Sequence, residues 1–308
     1  VPVSPLARLW AAWDRWWFVP VDARVLAAMR ISLGVMLTVS WVLLWPELEL
    51  LYGDEGLVDH RVVTRSWTDW RISHLDNLSG PELHAAHALG LAALLAFTAG
   101  FGARIANVLV AAALVGLYHR DPWIQNGGDR LLRMWALYLC LTPSGAVWSV
   151  DAWIRTRRGK PAITTVPMFG LRLVQLQVCW MYLDTGVEKL TGSGWTDGSA
   201  ISWALGDGTF NRAPWLIDPL LYTSVGQAAA YAVTLVTLVW ELLFVPLVLW
   251  RRTRAVGLVM GIVLHFGIFL TMSVGMFGPA SVWGYQAFWW DRWPWRREPR
   301  PAVGGGAG

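Results

Sequence analysis

Two lysines stand among the 25 Lys and Arg residues of the chain, and one of them, Lys189, closes a long apolar segment in the run Tyr182-Leu-Asp-Thr-Gly-Val-Glu-Lys-Leu-Thr-Gly-Ser-Gly-Trp195. An Arg guanidinium stays protonated, whereas a Lys ammonium can release its proton when desolvated and then serve as base or nucleophile. Lys189 is therefore the first residue to which chemistry can be assigned. The competing reading is that a cation at a helix end reaches into lipid headgroups and only anchors its span.

Spacing brings further polar residues into play. Arg172, Gln175, Cys179, Tyr182, Gly186 and Lys189 recur at steps of three and four, which on a helix makes one continuous stripe. Gln177, Met181, Asp184 and Glu188 form a second stripe. Because charges are costly in lipid, both stripes are expected to face the bundle or a hydrated pocket, with Asp184 or Glu188 available to pair with Lys189. Arg30, Arg133, Glu241 and His265 also fall inside apolar segments. Helix-to-helix pairing is expected for Arg30 and Glu241, and bundle hydrogen bonding, within reach of a pocket ligand, for His265. Asn126 and Asp129 have the spacing of helix caps and are also placed to line a pocket on the Lys189 side. His84 and His87 lack a third ligand at recognisable spacing, so no metal is expected. Cys140 and Cys179 lie in apolar segments and suggest no disulfide framework. Asn77-Leu-Ser79 matches a glycosylation triplet of low specificity.

The elements that must hold these residues are membrane helices. Of 308 residues 55% are hydrophobic, only 15% are charged, and 23 are Trp, a residue that collects where hydrocarbon meets water. These values describe an all-α polytopic transmembrane bundle. Spans are expected near 25–45, 83–101, 104–118, 130–147, 166–190, 225–250, 255–271 and 275–290, about eight in all. The last is short and contains Gly278-Pro279, so a broken or re-entrant segment is expected there. Residues 1–24 read as an interfacial segment and 291–308 as a flexible cytoplasmic tail. The first apolar stretch is too long for a cleavable signal. Basic residues gather in 148–165, 251–254 and after Trp290, which puts both termini in the cytoplasm and Lys189 at the extracytoplasmic end of the fifth span of a cell-membrane protein. The formal charge of +4 reflects this topology and not nucleic-acid binding.

The segments Asp22 to Gly34, Asn126-Gly-Gly-Asp129, Gly186-Val-Glu-Lys-Leu190 with Trp195, His265-Phe266 and Ser273 to Phe277 occur in a recognisable order. In these the chain resembles the HTTM membrane-domain family, which includes the membrane portion of vitamin K-dependent gamma-carboxylases. The resemblance implies a lysine base at Lys189 that deprotonates reduced vitamin K or a related quinone, the suspected cofactor, in an epoxidase-like oxygenation. It implies Tyr182, Asn126, Asp129, Glu188, Trp195 and His265 as ligand-binding candidates. It departs from the carboxylases between Leu190 and Trp195, and at Asp129, where those enzymes supply a histidine. No large soluble domain accompanies the membrane segments to present a protein substrate, so full protein carboxylation is not expected. The expected partners are membrane lipid and a peptide or protein substrate. The resulting reading is a bacterial-type carboxylase-like membrane enzyme, with a non-catalytic membrane partner or peptide-maturation factor as the alternative.

Overall fold

The computed structural model describes residues 4–59, 62 and 73–289. The basic tail expected over 291–308 lies outside them. Helix α1 (Pro5–Phe18) leads through strand β1 (Pro20–Asp22) into α2 (Ala23–Leu44), which a 3-10 turn extends to α3 (Leu48–Tyr52). There follow α4 (Gly80–Ala99), α5 (Ala103–Arg120), α6 (Gly127–Cys140), α7 (Val150–Arg157), β2 (Thr165–Pro167) and α8 (Phe169–Thr191). The short helices α9 (Ser193–Thr196), α10 (Ala200–Gly206) and α11 (Pro214–Leu221) precede the long α12 (Ser224–Leu249) and α13 (Arg254–Thr271). The last described element, α14 (Phe277–Trp283), tightens into a 3-10 turn over Gly284–Phe288, in line with the short or broken final segment read from the sequence. Among the described residues the fold is all-α apart from β1 and β2, an antiparallel pair with Val21 opposite Val166, and an isolated bridge between Asn211 and Met272.

Local chemistry sets the helix ends. Asp22 starts α2 by accepting from Arg24 N at 2.9 Å, and its hydrogen bond to the Arg24 guanidinium holds the carboxyl below its ordinary range. At α6, Asn126 Oδ1 accepts from Gly128 N while Asp129 Oδ2 accepts from Asn126 N at 2.9 Å, so the expected caps form a reciprocal box. The turn between α4 and α5 needs Gly100 and Gly102, whose φ of 70° and 54° disfavour any residue with a side chain. Asp151 then caps α5 with 2.8 Å bonds from Gly102 N and Ala103 N.

Buried polar residues tie the helices together. Trp41 and His87 stack at 4.6 Å and exchange two hydrogen bonds, each ring nitrogen binding the other residue's carbonyl, which staples α2 to α4. Arg30 is fully buried, yet its partners are the Ser144 and Trp148 carbonyls at 2.6 and 2.5 Å rather than an acid on another helix. A guanidinium offers five donors, and the carbonyls of this loop accept from its two terminal nitrogens, while Arg30 Nε is buried without a hydrogen-bond partner among the described residues.

Among the described residues four helical stretches are long and apolar enough to cross a membrane: Ala23–Tyr52, Gly80–Ala99, Ser224–Leu249 and Arg254–Thr271. The count of about eight is not confirmed. With 14 residues α6 rises only about 21 Å, and α8, although long, carries Asp184, Glu188 and Lys189 near one end.

Candidate functional site

Helix α8 carries the centre of the site. Of its two polar stripes, the one through Tyr182, Gly186 and Lys189 turns inward, while Asp184 and Glu188 are exposed. The inward choice follows from packing at Gly186. A Cβ there would sit 3.2 to 3.3 Å from Glu241 and Leu242, so the missing side chain lets α8 and α12 approach closely. That approach brings Lys189 Nζ to 2.6 Å from Glu241 Oε2. Only 17% and 9% of the two side chains remain exposed, so the ion pair is largely desolvated. Thr185 Oγ1 lies 3.2 Å from the same carboxylate oxygen, and the Trp195 ring covers Lys189 with its centroid 4.8 Å from Nζ.

Two turns before Lys189 on α8, Tyr182 is 2% exposed and centres a second cluster. Its hydroxyl is 2.7 Å from His265 Nε2 on α13 and 2.6 Å from the Tyr285 hydroxyl after α14. Trp240 and Phe244 of α12 close around the Tyr182 ring at 4.7 and 4.4 Å between centroids. Two glycines admit this crowding. Gly261 leaves room for the Tyr285 hydroxyl and the Trp240 ring, and Gly278 lets α14 rest on the His265 carbonyl, 2.8 Å from where a Cβ would lie. His265 Nδ1 is buried and has no hydrogen-bond partner, which leaves one ring nitrogen uncommitted.

Four of the residues singled out from the sequence thus meet: Lys189 touches Trp195, and Tyr182 touches His265. Three do not join them directly. Glu188 is exposed, and Lys189 pairs with Glu241 instead of Asp184 or Glu188. Asn126 reaches the Val274 carbonyl at 3.4 Å, and Gly128 packs on Phe277, which contacts His265 edge-on at 5.6 Å, so the α6 start buttresses the cluster from one shell away. Asp129 instead lines a separate cavity of about 210 Å³ with Tyr52 and Gln125. His84 and His87 serve packing, with His84 Nδ1 3.2 Å from Glu49 and His87 on Trp41.

The sequence reading did not assign Glu241, Thr185, Tyr285 or Trp240 to this site. Glu241 carried a usable signal, because an acid deep in an apolar helix of 26 residues requires a partner cation. Tyr285 and Trp240 carried none, since aromatic residues in apolar helices are ordinary.

Chemically, the arrangement is an acid–base pair in a water-poor, aromatic-walled setting beside a hydrogen-bonded Tyr–His–Tyr cluster. Comparison with curated proteins and with solved structures finds no match. The family model described as the HTTM domain matches residues 18–293, which takes in every residue of both clusters, and the chain therefore belongs to the HTTM domain family.

Proposed function

We propose that this protein is a vitamin K-dependent gamma-carboxylase-like membrane enzyme that binds a reduced quinone or similar lipid and uses Lys189 as general base. The observation that carries the reading is the desolvated Lys189–Glu241 pair under the Trp195 ring. The residues present suit such a ligand. The Trp195 ring over Lys189 offers an apolar face, while Trp240 and His265 lie buried beside Tyr182. A bound reduced quinone supplies an acidic phenolic hydroxyl whose deprotonation opens it to oxygen.

As an ammonium beside a carboxylate, Lys189 has no lone pair to offer. When a ligand displaces the remaining water, two ions become costly and two neutral partners less so. The proton then passes from Lys189 Nζ to Glu241 Oε2 over 2.6 Å. The freed amine accepts a proton from the ligand hydroxyl, and the Trp195 ring helps exclude water. Asn126 and the Tyr182–His265–Tyr285 cluster hold the surrounding helices in register. The basic loops support a multi-pass cell-membrane protein with both termini cytoplasmic and this site facing outward. Membrane lipid, and a peptide or protein acceptor, are its partners in this reading.

The same ion pair favours a second reading, in which Lys189 is satisfied by Glu241 and the chain is a non-catalytic membrane partner or peptide-maturation factor. Lys189→Arg separates the two, because guanidinium keeps the charge and cannot act as a neutral base. Quinone oxidation by purified Lys189→Arg protein, compared with wild type at equal folded amounts, is expected to fall about 100-fold or more while binding persists. Equal turnover in both proteins would refute the base.

A further inference from the structure

Between Thr191 and Ser224 the chain builds a small helical cap along the first half of α12. Ile201 N donates to Thr234 Oγ1 at 3.2 Å, and Gly198, with φ of 85°, seats its backbone directly on the Tyr231 ring. The cap encloses a groove of about 540 Å³ that neither the family nor the reading above assigns. Three aromatic side chains converge on it from different elements: Trp203 of α10, Tyr222 after α11 and Tyr231 of α12. They are 73%, 73% and 51% exposed, and among the described residues none of these rings stacks on another.

The groove has one charged group, Asp197. Its Oδ1 accepts from Ser199 N at 2.9 Å and Ser199 Oγ at 2.6 Å, and these bonds hold the carboxyl below its ordinary range. Oδ2 has no partner, and no cation answers Asp197 among the described residues. Over 191–224 the sequence has three acids, Asp197, Asp207 and Asp218, against the single base Arg212, which lies over the Phe269 ring instead. Two of the neutral polar side chains, Ser202 and Gln227, are already committed. Ser202 Oγ donates to Gln227 Oε1 at 3.2 Å, and Gln227 Nε2 donates to the Leu221 carbonyl at 2.8 Å. One open carboxylate oxygen stands beside three exposed ring faces, the complement of a cation with an apolar skin.

We propose that this groove binds an alkylated ammonium group, with Asp197 as its counter-ion and Trp203, Tyr222 and Tyr231 as its walls. Such a group arrives either as the headgroup of a choline lipid or as a soluble ammonium compound. The test uses radiolabelled tetramethylammonium and the purified full chain in an uncharged detergent. Saturable binding is expected, weakened about tenfold or more by Asp197→Asn and, separately, by Trp203→Leu. Asp207→Asn, outside the groove, is expected to leave it unchanged, and melting curves confirm that each variant is folded. Nanodiscs then distinguish the sources. Weaker apparent binding of the probe in phosphatidylcholine than in zwitterionic phosphatidylethanolamine discs identifies the lipid headgroup, and equal binding identifies a soluble ammonium. No saturable binding, or binding indifferent to both groove substitutions, overturns the proposal and leaves the rings as part of an interfacial aromatic belt.

Discussion

Glu241 and Lys189 illustrate how a buried charge depends on its partner. Removing one member of a desolvated pair strands the other, typically at about 3–5 kcal/mol, whereas replacing both with apolar groups of similar volume is often neutral. Lys189→Met is therefore expected to lower the melting temperature clearly, and Lys189→Met combined with Glu241→Leu to recover most of the loss while remaining inactive. Thermal denaturation of the two variants in one detergent checks this, and a double variant no more stable than the single one contradicts it. The residues of this pair were legible separately, each as an ionisable group in apolar sequence. Their union was not, because spacing within α8 says nothing about which residue of α12 lies opposite. Asp184 and Glu188 were nearer in sequence and equally acidic, yet a helix cannot turn both stripes toward the same neighbour, and the close approach at Gly186 decides for the other one.

At the level of elements, caps and turns were readable because their chemistry is local. The box at Asn126 and Asp129 and the glycine turn between α4 and α5 follow from a few adjacent residues. Lateral facing was harder to read, since in a membrane chain the lipid-facing and core-facing positions are both apolar. Helix α1 is the exception. Leu6, Leu9, Trp10 and Trp13 follow one helical face, no described residue of α1 is buried, and Arg172 fastens its end through a 3.1 Å bond to the Trp16 carbonyl. This geometry suits a helix lying in the headgroup layer. With Cys140 and Cys179 replaced, an environment-sensitive fluorophore on Leu9→Cys is expected to emit to the blue of the same label on Asp14→Cys in bilayers. Matching emission at the two positions would place α1 in water.

For the whole molecule, the basic loops motivate the proposed orientation. Cysteines introduced into 148–165 are expected to react only when the cytoplasmic face is open, and those in 191–224 from outside. Labelling of both loops from one side would reject the orientation and, with it, an outward-facing Lys189. Assembly order adds a consequence of the Lys189–Glu241 contact. The two residues are joined across α8 and α12, and Glu241 follows Lys189 by 52 positions. At synthesis rates of about 5–20 residues per second, Lys189 must wait roughly 3–10 s for its carboxylate to emerge. During that interval α8 holds Asp184, Glu188 and Lys189 without the helix that shelters the lysine, so Lys189 is covered only when α12 arrives. A nascent chain halted before Glu241 is thus a chain whose Lys189 still has no carboxylate from α12 to neutralise it.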